Sequence, residues 1–274
     1  MISRYALSCI LAFLFLSQPG CKKSNDPVPV PEPPPATGEL RLKDYVVSNL
    51  PSPYYSFDYS TDNRVSKINF ASSLFQYSLS YEAGKLTRLV NEPNGDRLEY
   101  RYLLGRVSSI EQFESSAGRR EWSYQFTYDP DGKLTIARWF QIVNNGADSI
   151  ARRVALLSYQ GENLIDLFNF RENQNGELAL SSHINFGNFD DKTNVESFGL
   201  LKDFFEHLLF LPGVTLQKNN PRISHILGEQ SDFEVQYTYT YQSTVPVSKI
   251  SRIEQVRGTQ TGKVTVGNTV YHYF

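Results

Sequence analysis

Alternation with a period of two dominates the body of the chain. In Phe75-Gln76-Tyr77-Ser78-Leu79-Ser80-Tyr81 one face is apolar or aromatic and the other polar. Leu98 to Tyr102, Trp122 to Tyr128 and Phe233 to Tyr241 repeat the pattern. Successive side chains of a strand point to opposite faces, so each segment reads as a half-buried strand. The aromatic and β-branched residues that fill these segments suit a pleated surface.

The strands recur with a common turn. An aromatic strand ends in Tyr, a short polar turn follows, and then come a basic or amide residue, an apolar one, two others and another apolar one. The copies run Tyr59 to Ile68, Tyr81 to Leu89, Tyr102 to Ile110, Tyr128 to Ala137 and Tyr159 to Leu167. Their basic or amide residues are Arg64, Lys85, Arg106, Lys133 and Asn163. Asp129-Pro130-Asp131-Gly132 has the chemistry of a type I turn closed by a glycine at positive φ, a standard hairpin connection. Gly84, Gly105 and Gly161 are placed to do the same. The two apolar positions of each return strand lie three apart, which breaks strict alternation and predicts a bulge or twist that curls the sheet.

These copies resemble YD (RHS-type) repeats, in which tyrosine, a turn with Asp or Gly and a basic–apolar pair recur. The Tyr-Asp pair itself stands only at Tyr128-Asp129, and the shell-forming members carry many more repeats. The chain also resembles Bacteroidota lipoproteins of unknown function with a porin-like fold. The matching residues, besides the hairpins and the N-terminal signal, are Phe189-Asp190-Asp191-Lys192 and Asn219-Asn220-Pro221 in a late insertion. That resemblance implies a meandering antiparallel sheet, strongly curved or nearly closed, and no known reaction.

The insertion carries a helical pattern over about Glu196 to Leu211. Leu200, Leu201, Phe204, Phe205, Leu208 and Leu209 follow a three/four spacing, with Lys202, Asp203 and Glu206 opposite. Pro212-Gly213 is placed to stop it. Such a helix serves as a plug or lid on the sheet's apolar face, as a docking element for a partner, or as a gate over a cavity.

The N-terminus has a different character. Arg4 precedes an apolar run from Tyr5 to Leu16, which Ser17-Gln18-Pro19-Gly20-Cys21 follows. The run is too short for the ~20 residues a transmembrane helix needs, and it reads as a cleaved signal. The segment resembles a signal-peptidase-II lipobox, which implies an acylated Cys21; Gln18 stands where that pattern has an aliphatic residue. Of the two cysteines in the chain, Cys9 leaves with the signal, so a mature chain beginning at Cys21 has no internal disulfide. A proline-rich segment, Pro27 to Pro35, favours polyproline II and spans on the order of 28 Å as a semi-rigid stalk. The predicted organisation is a signal over residues 1–20, a lipidated Cys21 and stalk over 21–38, and a single β domain over 39–274.

Charge and chemistry narrow the function without naming it. The net charge is −2 at pH 7, and loss of Arg4 makes it more negative, so there is no electrostatic footprint for nucleic acid. His183, His207, His225 and His272 lie too far apart in sequence for a compact metal motif, and no metal or cofactor is expected. No Gly-x-Ser-x-Gly elbow, Walker loop or Rossmann glycine pattern is present. Asp129-x-Asp131-Gly132 begins like a calcium loop, but Phe140 stands where that loop needs its glutamate. Asp190-Asp191 would point to opposite faces of a strand, which favours a turn or helix-start role over paired acid/base work. Most tyrosines lie on the apolar strand faces and read as core. Trp139, on the opposite face from Ile136 and Phe140, is the one candidate ligand-contact residue.

The sequence therefore predicts an all-β, strongly curved or barrel-like antiparallel meander of hairpins with one amphipathic helix inserted late. The expected role is a non-catalytic cell-envelope lipoprotein, a binding or scaffold module tethered to a membrane by its lipid, with a glycan, a lipid or an envelope protein as partner. Carriage of a lipophilic ligand in the concave sheet is the alternative, marked by a polar-rimmed apolar cavity and argued against by a solid core; a glycan hydrolase ranks below it. A membrane-spanning barrel is disfavoured by charged residues such as Arg97, Glu99 and Arg101 on the non-aromatic face. Lys22 after Cys21 lacks the aspartate of inner-membrane retention, and Lys22-Lys23 is opposite in charge to a surface-export signal. The expected location is the periplasmic face of the outer membrane, with the cell surface as the alternative.

Overall fold

The computed structural model describes residues 41–196, the backbone of 198–201, and 208–274. The signal segment, Cys21 and the stalk lie outside the described residues. In chain order the strands are β1 (Leu42–Val47), β2 (Tyr55–Tyr59), β3 (Val65–Phe70), β4 (Phe75–Glu82), β5 (Lys85–Asn91) and β6 (Arg97–Leu103). There follow β7 (Arg106–Phe113), β8 (Arg120–Tyr128), β9 (Leu134–Val143), β10 (Asp148–Gln160), β11 (Asn163–Glu172) and β12 (Leu178–Gly187). The last six are β13 (Phe198–Leu201), β14 (Leu209–Thr215), β15 (Ile223–Gly228), β16 (Asp232–Gln242), β17 (Val245–Arg257) and β18 (Val264–Tyr273).

All but β13 and β14 form one closed antiparallel barrel of sixteen strands. Consecutive strands pair all the way round, β12 pairs directly with β15, and β18 closes onto β1. The curved meander expected from the hairpins is thus a complete ring, which leaves no open sheet edge.

Alternation decides which face is inside. Directly paired residues share a face, and the rows Phe57–Ile68–Tyr77 and Leu79–Leu89–Leu98 are buried. So is the row Tyr100–Ile110–Tyr124–Trp139. These rows line the lumen. Outside, Arg88 pairs with Glu99 at 3.7 Å, and Ser80, Thr87 and Arg101 join them around a shallow groove of about 340 Å³.

Each of the five recurring hairpins carries a bulge at one equivalent place. The register slips after Asp58, Ser80, Arg101, Thr127 and Ser158. One residue of each return strand, Ser66, Thr87, Ser108, Thr135 or Ile165, is left without a partner. The slip is what lets apolar residues three apart both face inward: Leu86 and Leu89 are fully buried, as are Leu134 and Ala137. Thr87, Ser108 and Thr135 donate their hydroxyls across to the carbonyls of Ser80, Arg101 and Thr127 at 3.1–3.3 Å.

The same hairpins build a collar around one rim. Tyr81 donates its hydroxyl to the Val65 carbonyl at 2.8 Å, and Arg64 lies over its ring at 5.5 Å. Tyr102 does the same with Leu86 and Lys85, and Tyr128 with Val107 and Arg106. Tyr59 completes the series with Leu42 and Arg41. A basic–apolar pair recurs because its cation covers the next hairpin's tyrosine while the carbonyl of its apolar residue accepts that hydroxyl. At the fifth copy the series changes: Lys133 still lies over Tyr159 at 5.9 Å, but the Tyr159 hydroxyl is buried without a partner.

The late helix is a correction. Among the described residues, Phe198–Leu201 and Leu209–Leu211 belong to a two-stranded sheet, β13–β14, and Glu196 lies in a turn; residues 197 and 202–207 of the expected helix lie outside the described residues. The three/four spacing came from adjacent apolar residues. Leu208, Leu209, Phe210 and Leu211 are all buried, and a strand buried on both faces needs no alternation, so it cannot be told from a buried helix by periodicity. Pro212-Gly213 does not stop a helix. It lies within β14, where the pairing jumps from Leu200↔Phe210 to Phe198↔Thr215 and Gly213 adopts φ +76°.

Candidate functional site

The insertion folds into the barrel. The Leu208 amide points at the Tyr77 hydroxyl at 3.4 Å, and the Phe210 backbone lies near the Tyr100 hydroxyl without reaching hydrogen-bond geometry. Both tyrosines face the lumen from β4 and β6. From the far wall, Lys249 of β17 and Tyr271 of β18 reach the same insertion. Lys249 Nζ lies 2.6 and 2.8 Å from the Glu196 carboxylate oxygens, and the Tyr271 hydroxyl donates to Glu196 Oε1 at 2.9 Å.

This latch is set among aromatic rings. The Lys249 ammonium lies 5.8 Å from the Tyr237 ring and 6.0 Å from the Tyr271 ring, and its side chain is only 13% exposed. Burial, reinforced by the Glu196 carboxylate, pushes the phenols of Tyr45, Tyr239 and Tyr271 above their ordinary value. They therefore stay neutral hydrogen-bond donors. A charge this deep persists only with a partner, and Glu196 is the partner the insertion brings.

A polar clasp holds the neck of the insertion. Asn163, the amide that replaces the basic residue in the fifth hairpin, accepts from the Asn219 amide at 2.9 Å and donates to Asn219 Oδ1 at 3.1 Å. Leu164 and Leu216 pair through their backbones at 2.9 Å. The two motifs at either end of the insertion meet here. The Asp190 carboxylate accepts from the amide of Lys192 at 3.0 Å, from both nitrogens of Asn220 at 3.2 Å, and from the Tyr241 hydroxyl. Asn219 Nδ2 donates to the Lys192 carbonyl at 3.1 Å. Asp190 is thus a turn-forming hub, while Asp191 is 86% exposed beside Lys192, so the two carboxylates diverge.

Trp139 does lie on the opposite face from Ile136 and Phe140, but that face is the lumen. It is 2% exposed and so is not an exposed contact residue. Tyr124 meets its ring edge-on at 6.5 Å, and the Arg153 guanidinium covers it at 4.3 Å. Its indole N–H is buried without an acceptor. Closure of the sheet turns that whole face of β9 into interior.

Among the described residues no three His, Cys, Asp or Glu side chains gather as a metal site would require. His183 instead bonds Asp166 at 2.7 Å and stacks on Phe168 at 4.0 Å on the outer wall. His272 bonds Asp44 at 2.6 Å. Sequence reading missed the Glu196–Lys249–Tyr271 latch. Fifty-three positions separate Glu196 from Lys249, and nothing local marks Lys249 as inward-facing.

No protein-family model matches the chain, and no curated protein matches it in sequence. Solved structures do. The chain is similar to a porin-like protein from Bacteroides vulgatus ATCC 8482, with a TM-score of 0.56 and 12% identity over 86% of this chain and 99% of that one. A porin-like protein from Bacteroides uniformis ATCC 8492 matches with a TM-score of 0.53 and 12% identity, over 80% of this chain and 89% of that one. At this identity the likeness is one of fold. The fold is porin-like.

Proposed function

We propose that the chain is a non-catalytic cell-envelope lipoprotein, a binding or scaffold module held to the outer membrane by a lipid on Cys21 and facing the periplasm. The observation that carries this reading is the polarity of the barrel wall. A membrane-spanning barrel turns an apolar band to lipid and keeps its lumen polar. Here the lumen holds the hydrophobic core, and although Leu156, Leu180, Leu227, Ile250 and Val266 are exposed, the outer face carries charges such as Arg88, Glu99, Arg138 and Arg252 along its strands. Charges along the outer wall favour water over lipid as its surroundings. The lipobox-like segment and the proline stalk supply a tether suited to a water-borne domain. The likeness to the Bacteroides porin-like proteins supports an envelope setting.

Fatty-acid labelling and cell fractionation test the tether. The wild-type protein should take up label and sediment with outer membranes, and Cys21→Ala should do neither. An unlabelled wild-type protein refutes the lipoprotein reading. Protease added to intact cells tests the leaflet, because an exposed stalk is readily cut. Release of the domain from unbroken cells would place it on the cell surface instead.

A further inference from the structure

We propose that the lumen is a binding site for a straight-chain lipophilic acid, and that the hairpin β13–β14 is a built-in occupant which such an acid replaces. The wall does not need the insertion in order to close. β12 and β15 pair directly from Ser182↔Gly228 to Gly187↔Ile223, so the chain between them can leave the lumen without breaking the hydrogen-bonded ring. Sixteen strands enclose more space than wall side chains fill, and the insertion occupies it.

Among the described residues, the insertion brings there one carboxylate and one unbroken apolar run. Glu196 lies on Lys249 and Tyr271. Leu208 to Leu211 are no more than 7% exposed and meet the Tyr77 and Tyr100 side of the lumen. A long-chain carboxylic acid has the same two parts, an anionic head and an apolar body. If the hairpin withdraws, Lys249 and the phenol of Tyr271 remain as a cation and a neutral donor on an apolar wall. That pair selects an anion and rejects an ester. The clasp of Asn163, Asn219, Asp190 and Asn220 sits at the neck, outside the buried run, so it can anchor the insertion while the hairpin moves. The empty cavity expected for a carrier is, on this view, a cavity filled by the chain itself.

The inference rests on the reading of the chain as a binding module, and the two fail separately: labelling of Cys21 reports the tether and ligand uptake reports the lumen. The test uses the mature chain with Cys21→Ala and two fluorescent probes, parinaric acid and its methyl ester. Glu196→Gln frees Lys249 from competition and should bind the acid about tenfold more tightly than the parent, with the ester at least about tenfold weaker than the acid. Lys249→Met should erase the difference between acid and ester. Leu209→Ala/Leu211→Ala, which loosens the hairpin without touching the latch, should also raise uptake. In the parent, saturating acid should speed hydrogen exchange at the amides of Leu208 to Leu211. Acid and ester bound equally overturn the head-group assignment. Unchanged exchange at those amides with the acid bound, or no uptake by the parent or by either loosened variant, overturns the proposal.

Discussion

Gly132→Ala offers a measurement in which two effects can be separated. Gly132 closes the Asp129 turn with φ +90°, its amide bonding the Asp129 carbonyl at 3.0 Å. Left-handed backbone costs an L-residue roughly 1–2 kcal/mol. A Cβ there also falls on the Arg106 guanidinium, 2.8 Å from Nε and closer to Cζ and Nη2. Arg106 is flexible and will move, but it is the cation over Tyr128 at 5.8 Å, and losing that contact at an exposed rim costs about 0.5–1 kcal/mol. The sum is about 1.5–3 kcal/mol, or a fall in Tm of roughly 3–12 °C for a domain of this size. Gly105→Ala is the control: φ is +81°, with nothing within 4 Å of its Cβ, so only the backbone effect applies. Thermal melts of both variants, alone and combined with Arg106→Ala, isolate the collar. Gly132→Ala should cost more than Gly105→Ala, and the excess should vanish when Arg106 is already absent. Equal costs, together with strict additivity with Arg106→Ala, refute the claim that the repeated cation stabilises the rim through the tyrosine.

Leu104 is 92% exposed and adopts φ +51° beside Gly105; Leu104→Asn, which tolerates that backbone, should raise stability by about 0.5–1 kcal/mol in urea melts. Burial opposes ionisation of Asp166, but hydrogen bonds from Asn185 at 3.0 Å and from His183 outweigh it and hold the carboxyl below its usual range. A depressed folded value contributes stability above the unfolded pKa of ~3.9 that is lost as pH falls through the folded value. Asn185→Ala should therefore be destabilising at pH 7 and converge on the parent in acid, and carboxyl NMR titration should show Asp166 rising. Trp139→Phe removes an unpartnered N–H along with some volume and should cost under about 1.5 kcal/mol, against roughly 3–5 for Trp139→Ala, as read by denaturant midpoints.

Local rules reached as far as local physics extends. Period-two alternation in Phe75–Tyr81 and Trp122–Tyr128 marked strands and their buried faces. The three-residue spacing of Leu86 and Leu89, or of Val107 and Ile110, marked the bulges, because two inward residues at odd separation require a slipped register. The turn at Gly132 was legible for the same reason. Closure was not, since alternation assigns faces without fixing how many strands complete a ring. Trp139 shows the consequence: its face was readable, but whether that face met water depended on strands far away in sequence. The collar was half legible. The recurrence of Tyr with Arg or Lys was plain, yet each cation serves the tyrosine of the following hairpin, which only the stacked register reveals. At Asn163 the absent cation marked where the insertion docks.

The insertion was misread because its apolar residues answer to an unusual demand. An eight-stranded barrel can fill its interior with wall side chains, whereas sixteen strands leave a channel. Porins keep that channel wet and put their apolar face outside. The wall from β2 to β9 has the opposite polarity, with Leu, Ile, Tyr and Phe rows turned inward, and an apolar channel would leave their inner ends without contacts. The wall therefore calls for a filler that is apolar on every side. Leu208, Leu209, Phe210 and Leu211 in succession meet that need, since all four are buried. Glu196, in the turn where the insertion begins, meets Lys249 and Tyr271 of the wall. Turning the apolar face of a sixteen-stranded barrel inward thus calls for an internal occupant.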